Sequence, residues 1–498
     1  MTADYMTAGK NTAGQQVGKG LACIALVGAA LAAQAADAVR PRHVVIGYYL
    51  LEKEQINHYT ENAGPAVPAV PFAISRITPE KARMLTHINY SFQNLNEAGE
   101  CALENGTDPA KAAEVFSKLA TLKKYNPDLR ILFSLGGWAY TNDDSATAVR
   151  YRDAASTAAR RRQMASSCIA FMKRYGFDGI DIDWEYPRKE DADNFVALLT
   201  EIRRQLNTEN RQRRQKYQLT IAGAGGAFNL SRYYLQLKQI AAQVDYLNLM
   251  SYDLNGAWQK QTDHNAHLFG DSREAKYDNP LRQLQFDPAL PPAELQSRFP
   301  SPFALTVDAA VQQYLQAGVP ARKIVLGLPF YGRAYFAVGS ENHGLYQPHA
   351  TPAGDDYHGD TTLLTGCDAC VQRGDPRSAG YDDIRKLLAS GLGYQRYFSS
   401  EGKVPWLYNA DKKIFVSYDD EESFRYKSKY LKQQGLAGAM FWHLGQDDAE
   451  GTLLRTLHRS LNDAGYCDAD LDLSGGLHYA SNMPRKGIAK PGAACKTK

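Results

Sequence analysis

FDGIDIDWEYP, residues 177–187, decides the fold. Asp181, Asp183 and Glu185 alternate strictly with Ile180, Ile182 and Trp184. In a β-strand, residues i and i+2 share a face, about 6–7 Å apart. One face therefore carries three acids, with Glu185 uppermost, and the other carries three large apolar groups. Asp178 has the opposite parity and is read as structural. Carboxylates this close repel, and burying them is costly unless they share protons or serve a ligand. A calcium loop would need D-x-D-x-D-G, but the sixth position from Asp181 is Tyr186. A solvated acidic strand would not carry Ile, Ile and Trp on its reverse. An acidic face turned into an enclosure, with the apolar face packed on helices, satisfies both halves of the pattern.

Seven further apolar or β-branched runs extend this reading along the chain: HVVIGYY (43–49), LTHINYSF (85–92), RILFSLGG (130–137), YQLTIAGAG (217–225), DYLNLMSYD (245–253), KIVLGLPFYG (323–332) and AGAMFWHL (437–444). Amphipathic segments such as AARRRQMASSCIAFMKRYG and ADNFVALLTEIRRQLN lie between several of them. Strands alternating with helices imply parallel pairing, and eight such units imply an α/β chain folded as a (β/α)8 TIM barrel. An open doubly wound sheet is the alternative, but no Gly-rich phosphate turn follows the first strand. The long interval after residue 332 predicts a small α+β insertion between strand 7 and helix 7. The expected organisation is a signal peptide (1–35), barrel (36–332), insertion (333–414), the rest of the barrel (415–464) and a C-terminal tail (465–498).

The chain has 498 residues, 44% of them hydrophobic, enough for one large core plus an appendage. A net charge of +3 with scattered Lys and Arg gives no electrostatic case for nucleic acid or a membrane surface. Lys10 and Lys19 precede the apolar run LACIALVGAALAAQA, which ends in Ala33-Gln34-Ala35, a small-residue cleavage pattern. This run is short and Ala-rich for a membrane span, so the expectation is a secreted protein, extracellular or periplasmic. Export permits disulfides. Cys367 and Cys370 in TGCDAC are read as a local disulfide, since no second Cys or His pair accompanies them to hold zinc. Cys467 and Cys495 would staple the tail. Cys101 and Cys168 stay open, with a buried free thiol one reading of Cys168.

In a barrel, functional groups gather at the C-terminal ends of the strands. Crowded carboxylates there hold protons at neutral pH, so the outermost, Glu185, can act as a general acid. FDGIDIDWEYP also matches the D-x-x-D-x-D-x-E signature of glycoside hydrolase family 18, and FSLGGW supplies its S-x-G-G at Ser134, Gly136 and Gly137. VIGYY, THINYSF, QLTIAGAGGAF, LNLMSYDLNGAW, SPFALTVDAAVQQYL, PFYGRAY and GAMFWHLGQD resemble bacterial chitinases of the chitinase B type. The resemblance runs from about His43 to about Tyr479.

That resemblance implies a role for each candidate residue. It makes Glu185 the acid that protonates the glycosidic oxygen. Asp183 turns toward it and holds the substrate N-acetyl group, with Asp181 sharing its proton. Tyr252 bonds the acetamido carbonyl, supported by Met250 and Asp253, while Tyr48 and Ser134 rebalance charge around Asp181. The substrate's own acetamide attacks the anomeric carbon, so no carboxylate nucleophile is needed. Trp442 resembles the floor under the −1 sugar; Trp138 and Trp258 resemble the leaving-group pair, with Phe228 further out. Tyr331 and Arg333 contact the substrate. Asn229 stands where related sequences often carry a second aromatic. The implied partners are chitin and N-acetylglucosamine oligomers, with no metal or cofactor and a monomeric state. Only about thirty residues follow the barrel, too few for the separate chitin-binding module of many such enzymes. An endo-N-acetylglucosaminidase shares the acid motif. A lectin on an inactive barrel would lack the final acid, which is present here as Glu185.

Overall fold

The computed structural model describes residues 43–50, 73–103, 107–226, 236–273, 305–351 and 377–476. The expectations for the signal peptide, Phe228, Asn229, Cys367, Cys370, Cys495 and the end of the tail lie outside them. In chain order, the strands of the main sheet are β1 (Val44–Leu50), β2 (His87–Leu95), the short β3 (Cys101–Ala102), β4 (Arg130–Gly136), β5 (Gly179–Asp183), β6 (Gln218–Ala224), β7 (Tyr246–Met250), β8 (Ile324–Pro329) and β14 (Gly438–Trp442). They pair in the order β1-β14-β8-β7-β6-β5-β4-β2, and β1 also pairs with β2, so eight parallel strands close into a barrel. β3 adds only an antiparallel step at the end of β2.

The alternation read from the sequence becomes the division between lumen and shell. Ile180, Ile182, Ile131, Phe133, Leu219, Ile221, Leu247 and Leu249 face the helices in one continuous core. Val44, Ile46, Tyr48, Val325 and Met440 form a separate cluster in the lumen. The helices follow the predicted stripes. Ala158–Tyr175 starts at Thr157, whose hydroxyl accepts from the Arg160 N–H at 3.3 Å, and ends at Gly176 in the left-handed conformation. It buries Met164, Ala165, Cys168, Ile169 and Met172, spaced for one helical face. Ala192–Arg213 buries Phe195, Leu198, Leu199, Ile202 and Leu206 in the same way. Each such Leu contributes roughly 1.5–3 kcal/mol by leaving water.

Two features differ from the sequence reading. The run 323–332 is not one strand: it breaks at Phe330, whose N–H donates to the Trp442 carbonyl at 2.9 Å and whose own carbonyl accepts from Tyr381 N–H at 2.9 Å. The fully buried Phe330 ring stacks on Phe441 with centroids 4.0 Å apart. From this anchor the chain enters a second, antiparallel sheet, β9 (Tyr331–Tyr335), β10 (Ser378–Gly380), β11 (Gln395–Ser399), β12 (Val404–Asn409) and β13 (Ile414–Ser417), ordered β10-β9-β13-β12-β11. This sheet has its own small core around Tyr335, Tyr346, Trp406 and Phe415. The chain then returns through the helix Glu421–Gln434, capped by Asp420, to β14.

The second difference is that Cys168 is not a free thiol. It forms a disulfide with Cys101, Cα atoms 4.9 Å apart, tying β3 to the helix Ala158–Tyr175. Cys467 is disulfide-bonded as well. Among the described residues no helix is long and apolar enough to cross a membrane.

Candidate active site

The acids rise from the lumen to the barrel mouth on β5. Asp181 is fully buried, Asp183 is 3% exposed, and Glu185 lies half-buried just past the strand end. Trp184 anchors that end on the outer side, buried edge-on against Phe195 at 5.6 Å. Asp178 holds the other end: its carboxylate accepts from Ile131 N–H at 2.8 Å and pairs with Lys123 at 2.6 Å, the structural role its parity predicted.

The S-x-G-G stretch is explained by contact. Ser134 donates to Asp181 Oδ2 at 2.8 Å. Gly136 and Gly137 have φ of 116° and 86°, where side chains are strained. A Cβ on Gly136 would lie 2.1 Å from the Asp183 carbonyl, which accepts from Gly137 N–H at 2.7 Å. Only glycine lets β4 close onto the end of β5 here. Thr141, which no sequence pattern marks, completes the joint. Its hydroxyl donates to the Gly137 carbonyl at 2.8 Å and accepts the Glu185 N–H at 2.9 Å, fixing the backbone of the outermost acid.

The three carboxyls have distinct surroundings. Asp181 accepts from Tyr48 at 2.9 Å and Ser134 at 2.8 Å on Oδ2. On Oδ1 it accepts from Thr220 and, at 3.3 Å, from Asn248. Burial pushes its proton affinity up, and these four bonds oppose that rise. Asp183 has no such cradle: its Oδ1 is buried without a hydrogen-bond partner. Burial first, then the charges of Glu185 and Asp181, hold Asp183 well above the usual carboxylate range. Burial lifts Glu185 to about 7, with the Asp253 charge pushing the same way and bonds from Tyr186 and the Trp138 backbone opposing. A carboxyl that keeps its proton near neutrality at the mouth of a barrel can protonate a leaving group.

Around the acids the predicted side chains form three groups. Tyr48 and Ser134 bond directly to Asp181. Burial and the neighbouring carboxylates keep the Tyr48 and Tyr252 phenols protonated, so both are donors. The Tyr252 hydroxyl approaches Met440 Sδ at 3.9 Å, whereas Met250, at the end of β7, packs against the lumen cluster. Asp253 is held by Arg333 through two bonds of 2.7 and 2.6 Å. The same guanidinium lies over Tyr331 at 5.1 Å and over Trp258 at 5.8 Å.

Trp442, the last residue of β14, lies 5.6 Å from Tyr48 and stacks on Phe92 at 5.6 Å. Trp138 and Trp258 are 43% and 48% exposed, unusual for Trp in a well-packed chain and suited to stacking on a ligand. Thr220 and Asn248 are site residues that sequence reasoning misses. The only available signal is parity: each is a polar residue at an inward position of an otherwise apolar strand.

The sequence profile of Glycosyl hydrolases family 18 matches residues 45–447. The chain belongs to glycosyl hydrolase family 18. It is 51% identical over 447 residues to chitinase B of Serratia marcescens, covering 89% of each chain. A family 18 N-acetylglucosaminidase from Paenibacillus barengoltzii superposes with a TM-score of 0.61 at 29% identity, over 84% of this chain and 100% of that one. Human YKL-39, a pseudo-chitinase with retained chitooligosaccharide binding, shares the fold at a TM-score of 0.64 and 22% identity, over 84% and 99% of the two chains. This family 18 hydrolase retains the full acid file, ending in Glu185.

Proposed function

We propose that the protein is a chitinase that hydrolyses β-1,4 bonds between N-acetylglucosamine units with retention, using the substrate's acetamide as nucleophile. The observation that carries this reading is the disposition of the carboxylates. Glu185, at about 7, is placed to give its proton to the glycosidic oxygen. The other acid acting on it from across the mouth, Asp253, is locked by Arg333 in a bidentate pair and cannot serve as a free nucleophile. The attack then falls to the substrate acetamide, held by Tyr252 and by Asp183, whose buried, unpartnered Oδ1 accepts the acetamide N–H once the side chain turns toward it. The charge on Asp183 offsets that of the oxazolinium ion as it forms.

Trp442 forms the floor of the −1 site, and the exposed Trp138 and Trp258 extend the leaving-group side. Arg333, on β9 of the antiparallel sheet, stands over Trp258 on that side. The resemblance to the chitinase B type implies a cleft closed beyond the −2 subsite, so a chain entering with its non-reducing end there loses disaccharides successively, the mode of an exo-acting enzyme. The identity to chitinase B of Serratia marcescens supports this reading. The leader at 1–35 directs export, and the Cys101–Cys168 disulfide fits an oxidising compartment.

A hexamer of N-acetylglucosamine labelled at its reducing end tests the direction. Unlabelled disaccharide first, with the label retained in longer products, is expected. Labelled disaccharide first overturns the exo assignment. The likeness to the Paenibacillus N-acetylglucosaminidase favours a second reading, release of single N-acetylglucosamine units. Monosaccharide as the sole early product would establish it.

A further inference from the structure

Asp181 is held from four strands at once: Tyr48 on β1, Ser134 on β4, Thr220 on β6 and Asn248 on β7. Three of these partners are hydroxyls, which change from donor to acceptor by turning one hydrogen. Asn248 differs, because its amide must turn over to do so. As it stands, Nδ2 donates to Asp181 Oδ1 at 3.3 Å and reaches the Tyr48 hydroxyl at 3.4 Å. Its Oδ1 is fully buried without a hydrogen-bond partner, an arrangement that destabilises a fold unless something offsets it. Turning the amide by half a turn would present that oxygen to Asp181 as an acceptor, the partner a protonated carboxyl needs. Thr220, bonded to the same Oδ1, sits beside it.

We propose that Thr220 and Asn248 are positioning residues that decide where the acid file keeps its proton. With Nδ2 toward Asp181 they hold that carboxylate ionised and leave the proton on Asp183. When Asp183 turns toward Glu185 and the acetamide, one proton passes from Asp183 to Asp181. The Asn248 amide then turns over and accepts the resulting O–H. One O–H bond breaks on Asp183 and one forms on Asp181, and the turned amide also withdraws Nδ2 from the Tyr48 hydroxyl; the proton on Glu185 goes separately to the leaving oxygen. The inference rests on the substrate-assisted reaction proposed above and deepens it. The titratable groups that act with Asp181 are Asp183 on its own strand, Tyr48 from β1 and Tyr252 beyond β7. β4 and β6 face it with the neutral Ser134 and Thr220, and no Lys, Arg or His bonds to it among the described residues.

Thr220→Val and Asn248→Leu each remove one donor at nearly constant volume. Asp181 then takes up its proton at higher pH, so the acid limb of kcat against pH moves toward neutrality by about one pH unit in each variant. Thr220→Ser restores the hydroxyl and returns the limb to its original place. A purely structural role would lower kcat at every pH and leave the limb where it is, and that result overturns the inference. Should Asn248→Leu fail to fold, the Thr220→Val and Thr220→Ser pair decides alone. The anomer formed first by the unaltered enzyme is read in parallel. An α-product brings down the underlying reaction, whereas an unmoved limb with a β-product brings down only the role of Thr220 and Asn248.

Discussion

Replacing Glu185 by Gln removes a charge while keeping the side chain's shape, and its consequence for stability can be worked out. Burial lifts the carboxyl from the usual 4.5 to about 7. Between those values the folded chain holds a proton that the unfolded chain has lost. The wild-type fold is therefore unpenalised below about pH 4.5 and progressively loses stability as pH rises through 7. At about 1.4 kcal/mol per pH unit, the loss reaches ~3 kcal/mol by pH 8. Glu185→Gln escapes it, and it also relieves Asp183 of a neighbouring charge, which acts in the same direction. Thermal unfolding of both proteins at pH 4 and pH 8 measures the effect. The two should melt together at pH 4, and the variant should melt higher at pH 8. Its hydrolysis should fall by about 10²–10⁴-fold or more, the contribution of general acid catalysis, while oligomer binding persists. An identical gap in Tm at both pH values would refute the burial argument for this acid.

Removing the Cys101–Cys168 disulfide with Cys101→Ser and Cys168→Ala opens a loop of sequence separation 67. The loop-entropy relation then predicts a loss of about 4 kcal/mol, read as a lower denaturation midpoint. Trp258→Ala takes away an exposed ring of the leaving-group side. It should weaken oligomer binding by up to about 10-fold, the worth of one aromatic contact, and slow degradation of insoluble chitin more than hydrolysis of soluble chitosan. Equal effects on both substrates would separate the ring from the polymer path.

Legibility in the sequence depended on whether the information was local. The parity of Ile180, Ile182 and Trp184 against Asp181, Asp183 and Glu185 lies within one strand, so the barrel and its acid file could be read directly. The glycines after Ser134 were legible as a motif, although their reason, the Asp183 carbonyl 2.1 Å from a Cβ on Gly136, is a contact between two strands. Thr220 and Asn248 were not legible because each is a single polar residue in an apolar run. Their role depends on β5, β6 and β7 lying side by side. The break at Phe330 had one local signal, Pro329, which has no N–H for a strand ladder and is the last residue of β8; the bonds to Trp442 and Tyr381 that redirect the chain there are tertiary. Spacing likewise could not pair Cys101 with Cys168, because the pairing follows from β3 packing on a distant helix.

In the proposed reaction the substrate's acetamide, and not a carboxylate or a water molecule, makes the first attack on the anomeric carbon. Proton NMR of the products during the first minutes of oligomer hydrolysis, before mutarotation, reads this directly. Acetamide attack followed by water gives two inversions, so the β-anomer should accumulate first. Initial accumulation of the α-anomer would contradict the proposed reaction.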